Sequence, residues 1–201
     1  KLYKVETAQV TVSDGTINAN SDKLSVVVSH ATPDYLTITG AGTQTAGTSQ
    51  NITIKAFDAY NNPATGYTGN KSLTFSGASN SPEYAPDAAW SPKVNGTAFG
   101  SATTLAFSAG VATGTLDLYK VETASVSATD QTINSGNHKL SVIVSQAAPA
   151  YIAITGSKTQ TAGVSQNITL TAYDAFNNLA TNYSGLKNLI FSGAGVLPDG
   201  T

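Results

Sequence analysis

Leu2-Tyr3-Lys4-Val5-Glu6-Thr7-Ala8 returns unchanged as Leu118-Tyr119-Lys120-Val121-Glu122-Thr123-Ala124, an offset of 116 residues. The offset holds without a gap to the end of the chain. Residues 1–85 align with 117–201, and 50 of those 85 positions are identical. A period of this length repeats a whole domain-sized unit, since solenoid repeats run to only about 20–50 residues. Reading outward from the heptapeptide, the chain alternates short period-two runs with Gly, Asn, Pro and Ser punctuation, which is a β pattern.

Within one full period, residues 35–150, the pattern predicts seven strands: 35–39, 50–58, 72–76, 103–107, 111–119, 123–129 and 139–145. Leu36 and Ile38, then Ile52, Ile54 and Ala56, then Leu73 and Phe75 fall on inward faces. So do Leu105 and Phe107, Leu116 and Leu118, Ala124, Val126 and Ala128, and Leu140, Val142 and Val144. Asn61-Asn62-Pro63 is a turn signal, and 78–100, around the only tryptophan, Trp90, reads as irregular with weak strand signal at most. Short strands at about ten-residue spacing without an amphipathic helix predict an all-β antiparallel sandwich of immunoglobulin-like type. Residues 1–34 then read as the C-terminal strands of a partial repeat, 35–150 as a complete one, and 151–201 as the N-terminal strands of another. The heptapeptide is expected at the corner between the fifth and sixth strands. Its position at residue 2 reads as an excerpt from a longer array, or as subunits that complete one another's sandwich by strand addition.

Composition narrows the function classes. Charged residues are only 11% of the chain, and all ten basic residues are lysine. With a net charge of −2 and no arginine forks, nucleic-acid binding is not expected. Cysteine is absent, so there is no thiolate nucleophile or disulfide framework. No run approaches the 18 apolar residues of a membrane span. The hydroxyl- and amide-rich surface fits a secreted or wall-exposed β protein.

The segments Ala56-Phe57-Asp58-Ala59-Tyr60-Asn61-Asn62-Pro63 and Ala172-Tyr173-Asp174-Ala175-Phe176-Asn177-Asn178-Leu179 lie between a Thr-Ala-Gly and a Phe-Ser-Gly. They resemble bacterial immunoglobulin-like tandem repeats of the invasin/intimin and giant-adhesin type, which commonly carry an Asp-aromatic-Gly-Asn-Pro turn. Here Asn61 and Asn177 stand where glycine is usual, and asparagine tolerates the left-handed geometry such a turn needs. The resemblance implies an extracellular sandwich in a tandem array and implies no specific ligand.

Asp58 and Asp174 continue the inward phase of their strands, so each carboxylate needs hydrogen bonds or a metal. One role is an Asx-type brace of its own turn with Asn61, Asn62, Asn177 and Asn178. The other is a calcium ligand, although calcium takes six to eight oxygens and acids are sparse. Asp34 at one inter-repeat joint becomes Ala150 at the next, which argues against a general joint calcium site. Lys4–Glu6 and Lys120–Glu122 read as surface ion pairs; a lysine–asparagine isopeptide crosslink would need burial. The five Asn-x-Ser/Thr triplets, at Asn51, Asn70, Asn95, Asn167 and Asn182, match what composition alone gives. His30 and His138 occupy non-equivalent positions, and no nucleophile elbow or catalytic carboxylate pair stands out. Trp90 suits either a plug at the open end of the sandwich or a sugar-stacking platform.

The sequence therefore predicts a non-enzymatic structural repeat of a bacterial cell-surface or extracellular fibre or adhesin protein, without a required cofactor. Its expected partner is itself, through neighbouring repeats or head-to-tail assembly, with surface glycans as a second partner class. The alternative is a carbohydrate-binding or spacer module of a secreted polysaccharide-degrading enzyme, with Trp90, Tyr60, Tyr67 and Tyr84 as aromatic candidates.

Overall fold

Period-two burial is carried through the longer strands between residues 33 and 145 of the computed structural model, which describes residues 1–83 and 90–195. Strands β1 (Glu6–Val10) and β2 (Leu24–Val28) form a hairpin of their own. The central unit follows with β3 (Pro33–Thr39), β4 (Thr43–Thr45), β5 (Gln50–Asp58), β6 (Gly69–Ser76), β7 (Lys93–Val94), β8 (Thr97–Ala98), β9 (Ala102–Phe107), β10 (Val111–Asp117), β11 (Thr123–Thr129) and β12 (Leu140–Ser145). Strands β13 (Pro149–Gly156) and β14 (Ile168–Asp174) pair antiparallel as a second separate hairpin. The described residues contain no helix.

The central unit is a sandwich of two five-stranded sheets, ordered β3-β5-β10-β7-β8 and β4-β12-β11-β6-β9. Side chains of a strand alternate between faces, so the residues at every second position meet between the sheets. Leu36, Ile52 and Ile54 from one sheet and Leu73, Val126 and Val142 from the other are fully buried there, with Phe75 at 1% exposure. All seven expected strands are present. The chain also crosses between sheets through residues 40–42, placing β4 parallel to β12, with Gln44 opposite Val144.

One expectation is corrected. The stretch 78–100 contains a hairpin, β7–β8, that extends the first sheet through β10. Its signal is the dipeptide Asn95-Gly96, whose φ values of 49° and 77° are what a tight two-residue hairpin turn requires. Two-residue strands are too short to show alternation, so only the turn chemistry betrays them.

The flanking hairpins repeat the register of the central unit. Ala8 pairs with Val26 as Ala124 pairs with Val142, and Ile154 pairs with Leu170 as Ile38 pairs with Ile54. Burial differs: Ile38 is 4% exposed and Ile154 is 61% exposed. The same sequence pattern thus builds an open sheet face at 151–195 and a closed core at 35–145.

Candidate functional site

A dense polar cluster among the described residues lies between the β1–β2 hairpin and the central unit, and it is assembled on Asp58. This residue ends β5 and is fully buried. The chain turns back through Asn61, whose φ of 66° is left-handed, a conformation that asparagine adopts more readily than most residues. Both ends of the turn close on the aspartate backbone, with Asn61 N donating to Asp58 O at 3.1 Å and Asp58 N to Asn62 O at 3.0 Å. The carboxylate then gathers the surrounding donors. Oδ1 accepts from Tyr60 N and Asn62 N, both at 2.9 Å. Oδ2 accepts from the linker amide Ala31 N at 2.8 Å and from Asn62 Nδ2 at 3.0 Å.

Asn62 carries the link onward. Its side-chain amide imitates a strand backbone, donating to Tyr3 O at 2.7 Å while Oδ1 accepts from Val5 N at 3.0 Å. The heptapeptide of one unit, the linker and the Asp-x-x-Asn-Asn turn of the next unit are thereby tied into one knot. The knot recurs around Asp174. Oδ1 accepts from Phe176 N and Asn178 N at 2.9 Å each, and Oδ2 from Ala147 N at 2.9 Å and Asn178 Nδ2 at 3.0 Å. Asn178 in turn donates to Tyr119 O at 2.7 Å and accepts from Val121 N at 2.9 Å. Tyr35 and Tyr151 hydroxyls brace the two turns by donating to Asn61 and Asn177 Oδ1, each at 2.9 Å.

The chain matches no protein-family model and no curated protein sequence. Among solved structures it is similar to domains 4–9 of surface layer protein SbsC, at 18% sequence identity and a TM-score of 0.33. That alignment covers 86% of this chain and 25% of the other, so the chain spans about a quarter of that structure's length.

The electrostatics of the knot favour an ionised aspartate. Burial raises the Asp58 pKa, but the Asn62 side-chain amide and the N–H groups of Ala31, Asn62 and Tyr60 outweigh it and bring it down to about 2. A carboxylate offers about four lone-pair sites, and each Asp58 oxygen already accepts two of these N–H donors. A calcium ion would have to displace them, and among the described residues no three acidic or histidine side chains converge. Because the folded pKa lies below the ordinary carboxylate value, this knot stabilises the protein above about pH 4 and loses that contribution as pH falls toward 2. The expected result is a carboxyl ¹³C titration of Asp58 with a midpoint near 2, accompanied by loss of protection at Ala31 N and Asn62 N. A midpoint near 4 would mean that the donors do not hold the carboxylate in solution.

The remaining sequence candidates separate. The Lys4–Glu6 and Lys120–Glu122 pairs lie at 3.1 and 3.6 Å, with all four side chains at least partly exposed, and such pairs contribute about 0–1 kcal/mol. His30 accepts from Gly66 N through Nε2 at 2.9 Å, while His138 stacks on Tyr35 with centroids 4.5 Å apart. Tyr67 is buried against Phe107 at 4.8 Å and donates to Asp130; burial first, then Asp130, raises its pKa. Tyr84 lies outside the described residues. Trp90 is 44% exposed. It lies 5.4 Å from both Tyr119 and Phe176, ring centroid to ring centroid.

The joint itself is what sequence reasoning missed. The heptapeptide and the Asp turn each stood out alone, and nothing in either motif names the other. Their separation is 59 residues in both copies, Tyr3 to Asn62 and Tyr119 to Asn178, but a gapless repeat fixes every separation alike and so does not mark this pair.

Proposed function

We propose that the chain is a structural module of immunoglobulin-like tandem repeats from a bacterial cell-surface or extracellular fibre or adhesin protein, and that its role is to build a semi-rigid rod. The observation that carries this reading is the recurrence of the Asp–Asn knot at both joints, with equivalent distances agreeing to about 0.1 Å. A flexible linker would leave the linker and corner amides to water. Here Ala31, Val5, Ala147 and Val121 all donate to side chains of the following unit's turn, which fixes the angle between units. The seven long strands in two sheets suit the immunoglobulin-like arrangement. Tyr67 and Trp90 are engaged within the protein, which favours the structural role over a sugar-binding aromatic face.

The apolar face of β13–β14 fits a segment of the 117–145 type, from the same polypeptide or from a second copy. Strand addition between subunits is therefore compatible with the rod.

Electron microscopy of native material bearing this sequence is expected to show rods with a bead spacing on the order of 30–40 Å, a nine-residue strand plus its turns. Compact particles, or beads on a randomly bent string, would overturn the proposal.

A further inference from the structure

The stretch 78–100 is longer than a plain sandwich connection needs, and its described residues reach out of their own unit. Ser81 and Trp90 form a neck, with Ser81 N donating to Trp90 O at 2.9 Å and Trp90 N to Ser81 Oγ at 2.8 Å. Ser79 N is anchored on Glu122 Oε1 at 2.7 Å, beside the heptapeptide corner. From this neck two contacts cross to the following unit. Pro82 O accepts from Asn177 Nδ2 at 3.0 Å, and Trp90 meets the Phe176 ring edge to face, at 88°. Tyr119 completes the cluster, 5.2 Å from Phe176.

Phe176 is also seated from below. Gly47 holds a φ of 74°, and a Cβ there would overlap the Phe176 ring, so the glycine is what lets the aromatic approach the backbone. Phe176 and Asn177 belong to the Asp-x-x-Asn-Asn turn already tied to the linker. At the other joint the same position is Tyr60, which packs on Tyr3 at 4.9 Å and stays 53% exposed.

We infer that the neck of the 78–100 insertion is an inter-repeat latch. Its partner is the aromatic–asparagine pair in the turn of the following repeat, gripped by Trp90 and Pro82 O. The inference rests on the tandem-repeat reading and adds a second, aromatic fastening to the polar knot.

Because Trp90 is the only tryptophan, its fluorescence reports the latch directly. In the full chain, Phe176→Ala is expected to shift Trp90 emission to longer wavelength. Trp90 is 44% exposed with Phe176 in place, so removing that ring uncovers more of the indole and raises its acrylamide quenching constant. Phe176→Tyr, the residue of the equivalent turn, is expected to keep the wild-type values. Asn177→Gly, which tolerates the left-handed φ of 64°, should give an intermediate change. Unchanged quenching in Phe176→Ala would overturn the latch while leaving the rod reading to its own test. Should that variant not fold, nuclear Overhauser contacts between the Trp90 indole and the Phe176 ring in the wild-type chain decide it: their presence supports the latch and their absence overturns it.

Discussion

Asn178→Leu is expected to open the joint while leaving the sandwich folded, at a cost of about 3–4 kcal/mol. The side-chain amide of Asn178 satisfies Tyr119 O and Val121 N. Leucine has the volume but neither the donor nor the acceptor. Each buried backbone group left without a partner costs about 1–3 kcal/mol, and Asp174 loses a donor as well. Asn178 lies outside the two sheets and bonds to the heptapeptide corner rather than to a strand of the sandwich, so heat denaturation of the sandwich should move little. The measurement is amide hydrogen exchange, in which protection at Val121 and Ala147 should fall by about 100-fold or more. Asn178→Asp gives the sharper diagnosis. It preserves shape but sets a second carboxylate where Nδ2 now stands 3.0 Å from Asp174 Oδ2. Like charges at that distance cannot both remain ionised at low cost. The joint should be open at neutral pH. Protection factors for Val121 in the leucine variant equal to wild type would show that the knot does not hold the joint.

The core was legible in the sequence because it rests on alternation, which a single strand displays without reference to its partner. Ile52, Ile54 and Ala56 read as inward from β5 alone, and the sandwich buries all three. The same phase put Asp58 inside, where a charge is costly without partners. Only the structure shows that one of its donors comes from 27 residues upstream in the linker. Asn62 was harder still. A turn asparagine is explained by its own turn, so nothing local shows that it also stands in for a strand against Tyr3 and Val5. Trp90 was only half legible: it packs on Tyr119 of its own unit, as a lone large aromatic beside a sandwich usually does, but its second partner Phe176 is 86 positions away. What stayed illegible was the pairing of elements across the repeat boundary, because period-two patterning carries no record of which surfaces meet.

Phe75 and Phe191 are the same residue of the repeat in two environments, and substituting each asks whether the open face is covered in solution. Phe75 is 1% exposed and packs near Phe99, at 6.1 Å between centroids. Phe75→Ala leaves a cavity between the sheets and is expected to cost about 3–5 kcal/mol, lowering the melting temperature of the sandwich by roughly 15–25 °C. Phe191 is 62% exposed on the face that also carries Ile154 and Ile190. With nothing on that face, Phe191→Ala should change stability by no more than about 0.5 kcal/mol. If the face is instead closed by a segment of the 117–145 type from a second copy, the two substitutions converge. Phe191→Ala then becomes strongly destabilising, and the cost depends on protein concentration because it is a cost of association. Val10 and Val12, exposed at 42% and 76%, occupy the repeat positions of Val126 and Ala128, which help cover Phe75 in the complete sandwich. Val10→Ser should therefore reproduce the Phe191→Ala effect in the closed case and do almost nothing in the open one. A concentration-independent loss of several kcal/mol at Phe191 would contradict both cases and would mean that residues 151–195 build a core of their own.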